Sequence, residues 1–72
     1  SVKVKPVPET NNHSVGDILK EALTFEKETL ALYFNALEIC GTDVALEEMI
    51  RTQICEETDH IEEIEKMIRG QK

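Results

Sequence analysis

The sequence predicts an all-α protein, an antiparallel helical hairpin that dimerises into a four-helix bundle. Two long segments rich in Ala, Leu, Glu and Lys are joined by a short glycine-containing connection, and no strand-like alternation occurs. The first segment also carries more apolar surface than the second can cover. Because a chain of 72 residues buries only about 60% of its unfolded surface, a partner subunit is expected to complete the core.

The chain is predicted to begin with a flexible tail or linker over residues 1–13. This segment holds both prolines, Pro6 and Pro8, and few apolar side chains. Proline fixes its own φ and disfavours helical backbone in the residue before it. The folded helical hairpin is therefore expected to span residues 14–70.

The first helix is predicted over about 15–40, without an internal proline. Ser14 is its N-cap, and Asp17 follows three residues later as in a capping box. Residues 41–43, Gly-Thr-Asp, provide a helix stop and then a new N-cap. The second helix is predicted over about 44–69, and the short turn makes the two helices antiparallel.

The apolar faces of the two helices differ in width. The first helix has an apolar arc of roughly 200°, about twice what one neighbouring helix covers. That arc contains Val15, Ile18, Leu19, Ala22, Leu23, Phe25, Leu30, Leu32, Tyr33, Ala36, Leu37 and Cys40. The narrower stripe of the second helix contains Leu46, Met49, Ile50, Ile54, Ile61, Ile64, Met67 and Ile68. A second copy of the hairpin is expected to cover the excess.

Three ionisable residues fall inside these apolar stripes: Glu26 on the first helix, and Glu57 and His60 on the second. Buried carboxylates are usually paired or bound to a metal, because an unpartnered one costs several kcal/mol. The Glu57-x-x-His60 spacing places a carboxylate and an imidazole one helical turn apart. Both out-of-place glutamates lie near mid-length, so they are expected at similar heights in an antiparallel pair.

These candidate ligands predict a dinuclear metal site shared by two hairpins. One hairpin supplies three ligands, whereas a two-fold pair supplies four carboxylates and two imidazoles, the set found in four-helix bundles with two metals. Oxygen-rich ligands with one imidazole per metal suit iron, with manganese as an alternative. In this arrangement Glu57 would bridge the metals, Glu26 and His60 would each bind one metal, and Tyr33 would donate a hydrogen bond from the second shell.

Simpler interpretations of the same residues stay open. His60 can be a surface histidine beside Glu56, Asp59 and Glu63, and Glu26 can be a solvent-facing member of a Glu-Lys-Glu run. Tyr33 alone is more typical of a core residue. A metal-free helical hairpin, serving as an assembly or adaptor module, is therefore the alternative from a different functional class.

Charge and hydropathy exclude two classes of function. With 15 acidic against 8 basic residues and a net charge of -7, the chain lacks the basic patch that nucleic-acid binding requires. No apolar run approaches the about 18 residues of a membrane span, and none resembles a signal peptide. The two cysteines have no CxxC spacing, which favours reduced thiols and a cytoplasmic location.

Three stretches resemble motifs of a known family. The run EKETLALY from Glu26 to Tyr33 is similar to the first-helix motif of bacterioferritins, a ligand Glu followed seven residues later by Tyr. The run EETDHIE from Glu56 to Glu62 is similar to their Glu-Glu-x-x-His-Ile motif. The turn over 41–43 is similar to that of the encapsulated ferritins, which are also two-helix chains. Over about residues 15–69, the chain thus resembles the bacterioferritin and encapsulated-ferritin type of the ferritin-like superfamily.

The resemblance implies a di-iron ferroxidase centre that oxidises Fe(II) to Fe(III) with dioxygen or peroxide, in iron storage or detoxification. Its iron ligands would be Glu26, Glu57 and His60, with Tyr33 as their neighbour. The chain has half the helices of an ordinary bacterioferritin, so a homodimer or a larger homo-oligomer is implied. A manganese or peroxide-active relative of the same fold is an alternative, as is half of a longer ferritin-like protein.

Two departures from the family pattern narrow the expectations. Thr58 stands where bacterioferritins place the haem-ligating Met, so haem is not expected. No encapsulin-targeting tail is recognised after Arg69, so an encapsulin shell is a conceivable partner that the sequence does not indicate.

Overall fold

The computed structural model describes residues 14–71. It contains two antiparallel helices, α1 (Val15–Ile39) and α2 (Val44–Arg69), which pack against each other along their length. The predicted all-α hairpin is therefore confirmed. The predicted tail over residues 1–13 lies outside the described residues.

Both ends of α1 follow from local chemistry. The Ser14 Oγ accepts a hydrogen bond from the backbone N–H of Asp17 at 3.1 Å, which satisfies one of the free donors of the first turn. The helix ends at Ile39, with Cys40 as its C-cap. Gly41 follows with a φ of 67°, a left-handed conformation that glycine adopts without a steric penalty.

The same turn starts α2. The Asp43 Oδ1 accepts a hydrogen bond from the backbone N–H of Leu46 at 3.0 Å, so Asp43 is the N-cap of the second helix. At the other end, the Gly70 N–H donates to the carbonyl groups of Lys66 and Met67, both at 3.1 Å. The short capped turn places the two helices side by side and fixes their antiparallel direction.

The core of a single hairpin is thin. Ile50 and Ile61 of α2 are 6% and 9% exposed, and Glu57 between them is 9% exposed. No residue of α1 is fully buried. Each helix has only one neighbour in the hairpin, so each can bury only the strip that faces it.

Much of the broad apolar arc predicted for α1 is exposed in the single hairpin. Four of the exposed large side chains recur at intervals of seven along α1, namely Ile18, Phe25, Leu32 and Ile39. Their exposed fractions run from 55% to 83%. Seven residues are close to two helical turns, so these side chains form one stripe. Coverage of this stripe by a second copy stays a prediction.

One edge of the helix–helix contact is polar. Lys27 follows Glu26 and is turned by about 100° from it, whereas Phe25 precedes Glu26 and is turned as far the other way. The Lys27 Nζ lies 3.8 Å from the Glu65 Oε2 of α2. This ion pair therefore marks the polar side of the hairpin, and Phe25 lies on the opposite side.

The side that carries Phe25 is the apolar side of the hairpin. On α2, Glu65 is turned from Glu57 by about 80° in one direction, and His60 by about 60° in the other. Because Glu65 meets Lys27 on the polar side, His60 is turned toward the apolar side together with Phe25. Within residues 14–71, neither helix combines the length and the apolarity that a membrane crossing requires.

Candidate metal centre

The fold brings the three predicted ligands together. Glu26 comes from α1, and Glu57 and His60 come from α2; one ligand atom of each lies within 4.8 Å of the others. Among the described residues, these three form a cluster of a kind that can bind a metal ion. Their role as ligands stays a prediction. The antiparallel packing of two helices makes the cluster, since Glu26 is 31 positions away from Glu57 in the sequence.

Glu57 is the buried member of the cluster. Its side chain is 11% exposed, and its Oε1 lies 3.0 Å from the His60 Nδ1. A carboxylate accepts hydrogen bonds only, so the imidazole Nδ1–H donates in this contact. The pair is one helical turn apart, the spacing at which two side chains on a helix meet. The buried carboxylate thereby has a partner.

The carboxyl group of Glu57 changes the pKa of Glu26. The pKa of Glu26 is raised, mainly because its protonated carboxyl can donate a hydrogen bond to Glu57. Loss of surrounding water and the negative charge of Glu57 act in the same direction, while a charged His60 opposes them. A cation between the two carboxyl groups would relieve their mutual repulsion, which is the environment that a metal ion would use.

The cluster is closed at its base and open toward the apolar side. The His60 side chain is 62% exposed, against 11% for Glu57. The sequence placed both residues in the same stripe, and the structure separates them: Glu57 faces α1, and His60 lies at the rim. A second hairpin on the apolar side would therefore meet the cluster at His60.

Tyr33 lies seven residues after Glu26, on the same face of α1, and is half-buried. Within residues 14–71 its hydroxyl makes no side-chain hydrogen bond with the cluster. A hydrogen bond from Tyr33 to one of the candidate ligands stays a prediction.

The donor chemistry of the cluster fits a hard or borderline divalent metal. Two carboxylates and one imidazole match the ligands of iron and manganese, and the cluster offers no thiolate. Cys40 donates its thiol to the Leu37 carbonyl at 3.2 Å, and Cys55 is an exposed free thiol. The two cysteines are thus separate from the cluster.

One polar residue beside the cluster was missed by the sequence reasoning. Gln53 precedes Glu57 by four residues and His60 by seven, and it is half-buried. Viewed down the axis of α2, Gln53 lies between Glu57 and His60, so it is on the apolar side near the cluster. Within the described chain its side chain makes no hydrogen bond. The available signal was an uncharged polar residue in the stripe that contains the candidate Glu and His ligands.

A comparison with protein families matches residues 1–71 to the ferritin-like domain. The chain therefore belongs to the ferritin-like family, and the predicted superfamily is confirmed. Its fold is one used for handling iron. Searches among curated proteins and among solved structures returned no match. The bacterioferritin or encapsulated-ferritin subtype stays a prediction.

Proposed function

We propose that two copies of this chain form a four-helix bundle whose interface contains a di-iron ferroxidase centre. The reaction is the oxidation of Fe(II) to Fe(III) by dioxygen or peroxide, in iron storage or detoxification. The observation that carries the proposal is the cluster of Glu26, Glu57 and His60, whose ligand atoms lie within 4.8 Å and which opens toward the apolar side. The ferritin-like domain supports the same chemistry.

The number of ligands supports a pair of hairpins. Three donors are too few to surround a metal, and a two-fold pair doubles them to four carboxylates and two imidazoles. Four carboxylates carry four negative charges, which balance two divalent ions. Such balance matters in a buried site, because an uncompensated charge away from water is strongly destabilising.

Each of the three residues has a distinct task. Glu57, the most buried, would bridge the two metals, and Glu26 and His60 would each bind one of them. The helices hold these side chains in place before the metal arrives, which lowers the ordering penalty on binding. When bound, the iron pair supplies the electrons that reduce dioxygen or peroxide.

The finer assignment within the family follows from two further features. The Gly-Thr-Asp turn over 41–43 supports the encapsulated-ferritin type. The two-helix length supports a homodimer or larger homo-oligomer, and the two cysteines without CxxC spacing support a cytoplasmic location. Thr58 at the position of the haem-ligating Met supports a haem-free protein. Manganese is the alternative metal, since the same donors bind it.

The proposal is tested by anaerobic titration of the protein with Fe(II), followed by exposure to air. We expect about one iron per chain, from two metals in a two-fold pair, and near-ultraviolet absorbance from ferric iron after air is admitted. Glu57→Ala should abolish both. Glu62→Ala is the matched control, because Glu62 is exposed on the same helix.

Two outcomes would contradict the proposal. Iron binding no stronger than that of buffer would remove the centre altogether. If Glu57→Ala left the metal content unchanged and made the hairpin equally or more stable, a metal-free assembly module would be the better description. A Mn(II) titration in parallel, with competition by Fe(II), would identify the preferred metal.

A further inference from the structure

Within residues 14–71, the Nε2 of His60 has no hydrogen-bond partner. Its Nδ1 is directed at Glu57, with a separation of 3.0 Å, and a metal in the cluster would take up the donors on this side. The Nε2 is on the opposite edge of the ring, and the side chain is 62% exposed. Metal-binding histidines almost always donate the second ring N–H to an acceptor, which fixes the tautomer and the ring orientation. A second hairpin that covers this exposed edge would replace water there and would have to supply the acceptor.

The order of side chains along the apolar side of α2 is nearly symmetric. From either end of α2 toward its middle, the side chains on this side are a large apolar residue, a second large apolar residue and then a polar residue. The pairs are Leu46 with Met67, Met49 with Ile64, and Gln53 with His60. All three pairs have their midpoint between Glu56 and Glu57. A second copy of α2 running antiparallel would therefore place like residues opposite like residues.

The exposed stripe of α1 has the same kind of symmetry. If a second copy of α1 runs in the opposite direction, large residues lie opposite large residues and small residues lie opposite small ones, to within one position. The pairs are Ile18 with Ile39, Phe25 with Leu32, and Ala22 with Ala36. The midpoint lies beside Thr29, less than one helical turn from Glu26. Because Glu26 contacts the Glu57 level of α2, both stripes are centred at nearly the same height of the hairpin.

The two midpoints define a single two-fold axis, and the ligands agree with it. An axis at the level of Glu57 brings the two copies of that residue next to each other. This is what a carboxylate shared by two metals requires. On this axis the residue that faces Gln53 is His60 of the partner subunit.

We propose that Gln53 is a positioning residue of the metal centre, whose side-chain amide oxygen accepts a hydrogen bond from the Nε2–H of the partner's His60. This inference rests on the proposed function, since it requires the two-fold pair. In this role Gln53 orients the imidazole ring of a ligand and does not contact the metal. The amide suits the task, because it is neutral and half-buried, and the interface leaves it no water to bond with.

The first test measures metal affinity in Gln53→Leu. Leucine has a similar size and suits the apolar side, so the dimer should persist while the acceptor is lost. We expect the dissociation constant for Co(II) to rise by about 10–100-fold, as typical for loss of such a partner, with a changed visible spectrum of the bound Co(II). Gln53→Glu, which keeps an acceptor, should restore the affinity. Thr58→Leu is the control, because Thr58 is exposed and is turned by about 100° from Glu57 toward the polar side.

The results separate this inference from the proposed function. If the unaltered protein binds Co(II) and Gln53→Leu binds equally well with the same spectrum, the role of Gln53 is wrong and the metal centre stands. If Glu56→Leu has the expected effect instead, Glu56 is the acceptor and Gln53 is not. If the unaltered protein binds no metal, both proposals fail.

The second test needs no metal and reports the pairing directly. In a background with Cys40→Ser and Cys55→Ser, chains with Gln53→Cys are mixed with chains with His60→Cys and treated with a short bismaleimide. We expect efficient formation of the 53–60 cross-linked heterodimer, and much less when Thr58→Cys, on the polar side, replaces Gln53→Cys. Equal yields at positions 58 and 53 would overturn the inferred register.

Discussion

The two sides of the hairpin differ sharply in chemistry. The polar side carries the Lys27–Glu65 ion pair, and Phe34, 49% exposed, is a large apolar residue on that side. The apolar side carries a stripe of large exposed residues at intervals of seven, including Phe25 at 65% exposure. His60, the exposed member of the cluster, is on this side. The difference teaches that the hairpin is one-sided: its site and its unsatisfied apolar surface face the same direction.

The largest effect is expected from a charge placed on the apolar side. Phe25→Glu would bury an unpaired carboxylate in the interface, a change that costs about 3–5 kcal/mol, or at least 100-fold in the dimer dissociation constant. Sedimentation equilibrium should show the monomer. Phe34→Glu makes the same change on the polar side and should leave the dimer intact. Equal effects of the two variants would contradict a one-sided interface.

The next largest effect is expected in the contact between α1 and α2. Ile50 is 6% exposed, and Ile50→Ala should lower the free energy of unfolding by about 2–5 kcal/mol through lost burial and a cavity. Urea unfolding followed by circular dichroism measures the change. Val44→Ala, at a residue that is 73% exposed, should change the stability by no more than about 0.5 kcal/mol. A small effect at Ile50 would mean that the core lies elsewhere.

A smaller effect is expected at the cluster itself. Glu26→Gln removes the repulsion from Glu57 and keeps an amide that can donate to it, so the metal-free protein should melt a few degrees higher. The same variant should lose most of the stabilisation that added metal provides. Thermal melts with and without Fe(II) under anaerobic conditions measure both changes in melting temperature. A lower melting temperature without metal would show that the two carboxyl groups do not repel.

The raised pKa of Glu26 gives the pH dependence of that effect. A carboxyl whose pKa is higher in the folded state binds its proton more tightly there, so protonation stabilises the fold. The contribution is complete below the unfolded pKa and is lost as the pH rises through the folded pKa. The advantage of Glu26→Gln without metal should therefore be greatest at neutral pH and should vanish in acid.

The smallest effect is expected on the polar side. The Lys27 Nζ and the Glu65 Oε2 are 3.8 Å apart, and both side chains are substantially exposed. A double-mutant cycle with Lys27→Met and Glu65→Gln should give a coupling of at most about 1 kcal/mol that weakens with salt. A larger coupling that salt does not reduce would mean that the polar side is also covered in the assembled protein.

Much of the fold could be predicted because its signals are local. Ser14 and Asp43 act as caps through bonds to residues three positions away, and Gly41 adopts the left-handed turn that ends α1. Such contacts depend on neighbours in the sequence, so a pattern of residue types indicates them. Glu26, Glu57 and His60 could be singled out for a related reason: each interrupts an apolar stripe.

The packing between the helices could not be predicted in the same way. Glu57 and His60 occupy the same stripe in the sequence, yet the side chain of Glu57 is 11% exposed and that of His60 is 62% exposed. Gln53 was not singled out because an uncharged polar residue in an apolar stripe is a weak signal. Its position matters only once the direction of α1 relative to α2 separates an apolar side from a polar one.

By itself, the sequence determined the two helices, their caps, the turn and the set of three candidate ligands, because helix formation and capping involve residues a few positions apart. The tertiary structure alone decided that these ligands meet within 4.8 Å, that Glu57 is enclosed, and that the open edge of the cluster faces the apolar side. Those features depend on how two helices are rotated about their own axes when they pack. That rotation is set by the burial of Ile50 and Ile61 against α1, a non-local balance that no single segment contains.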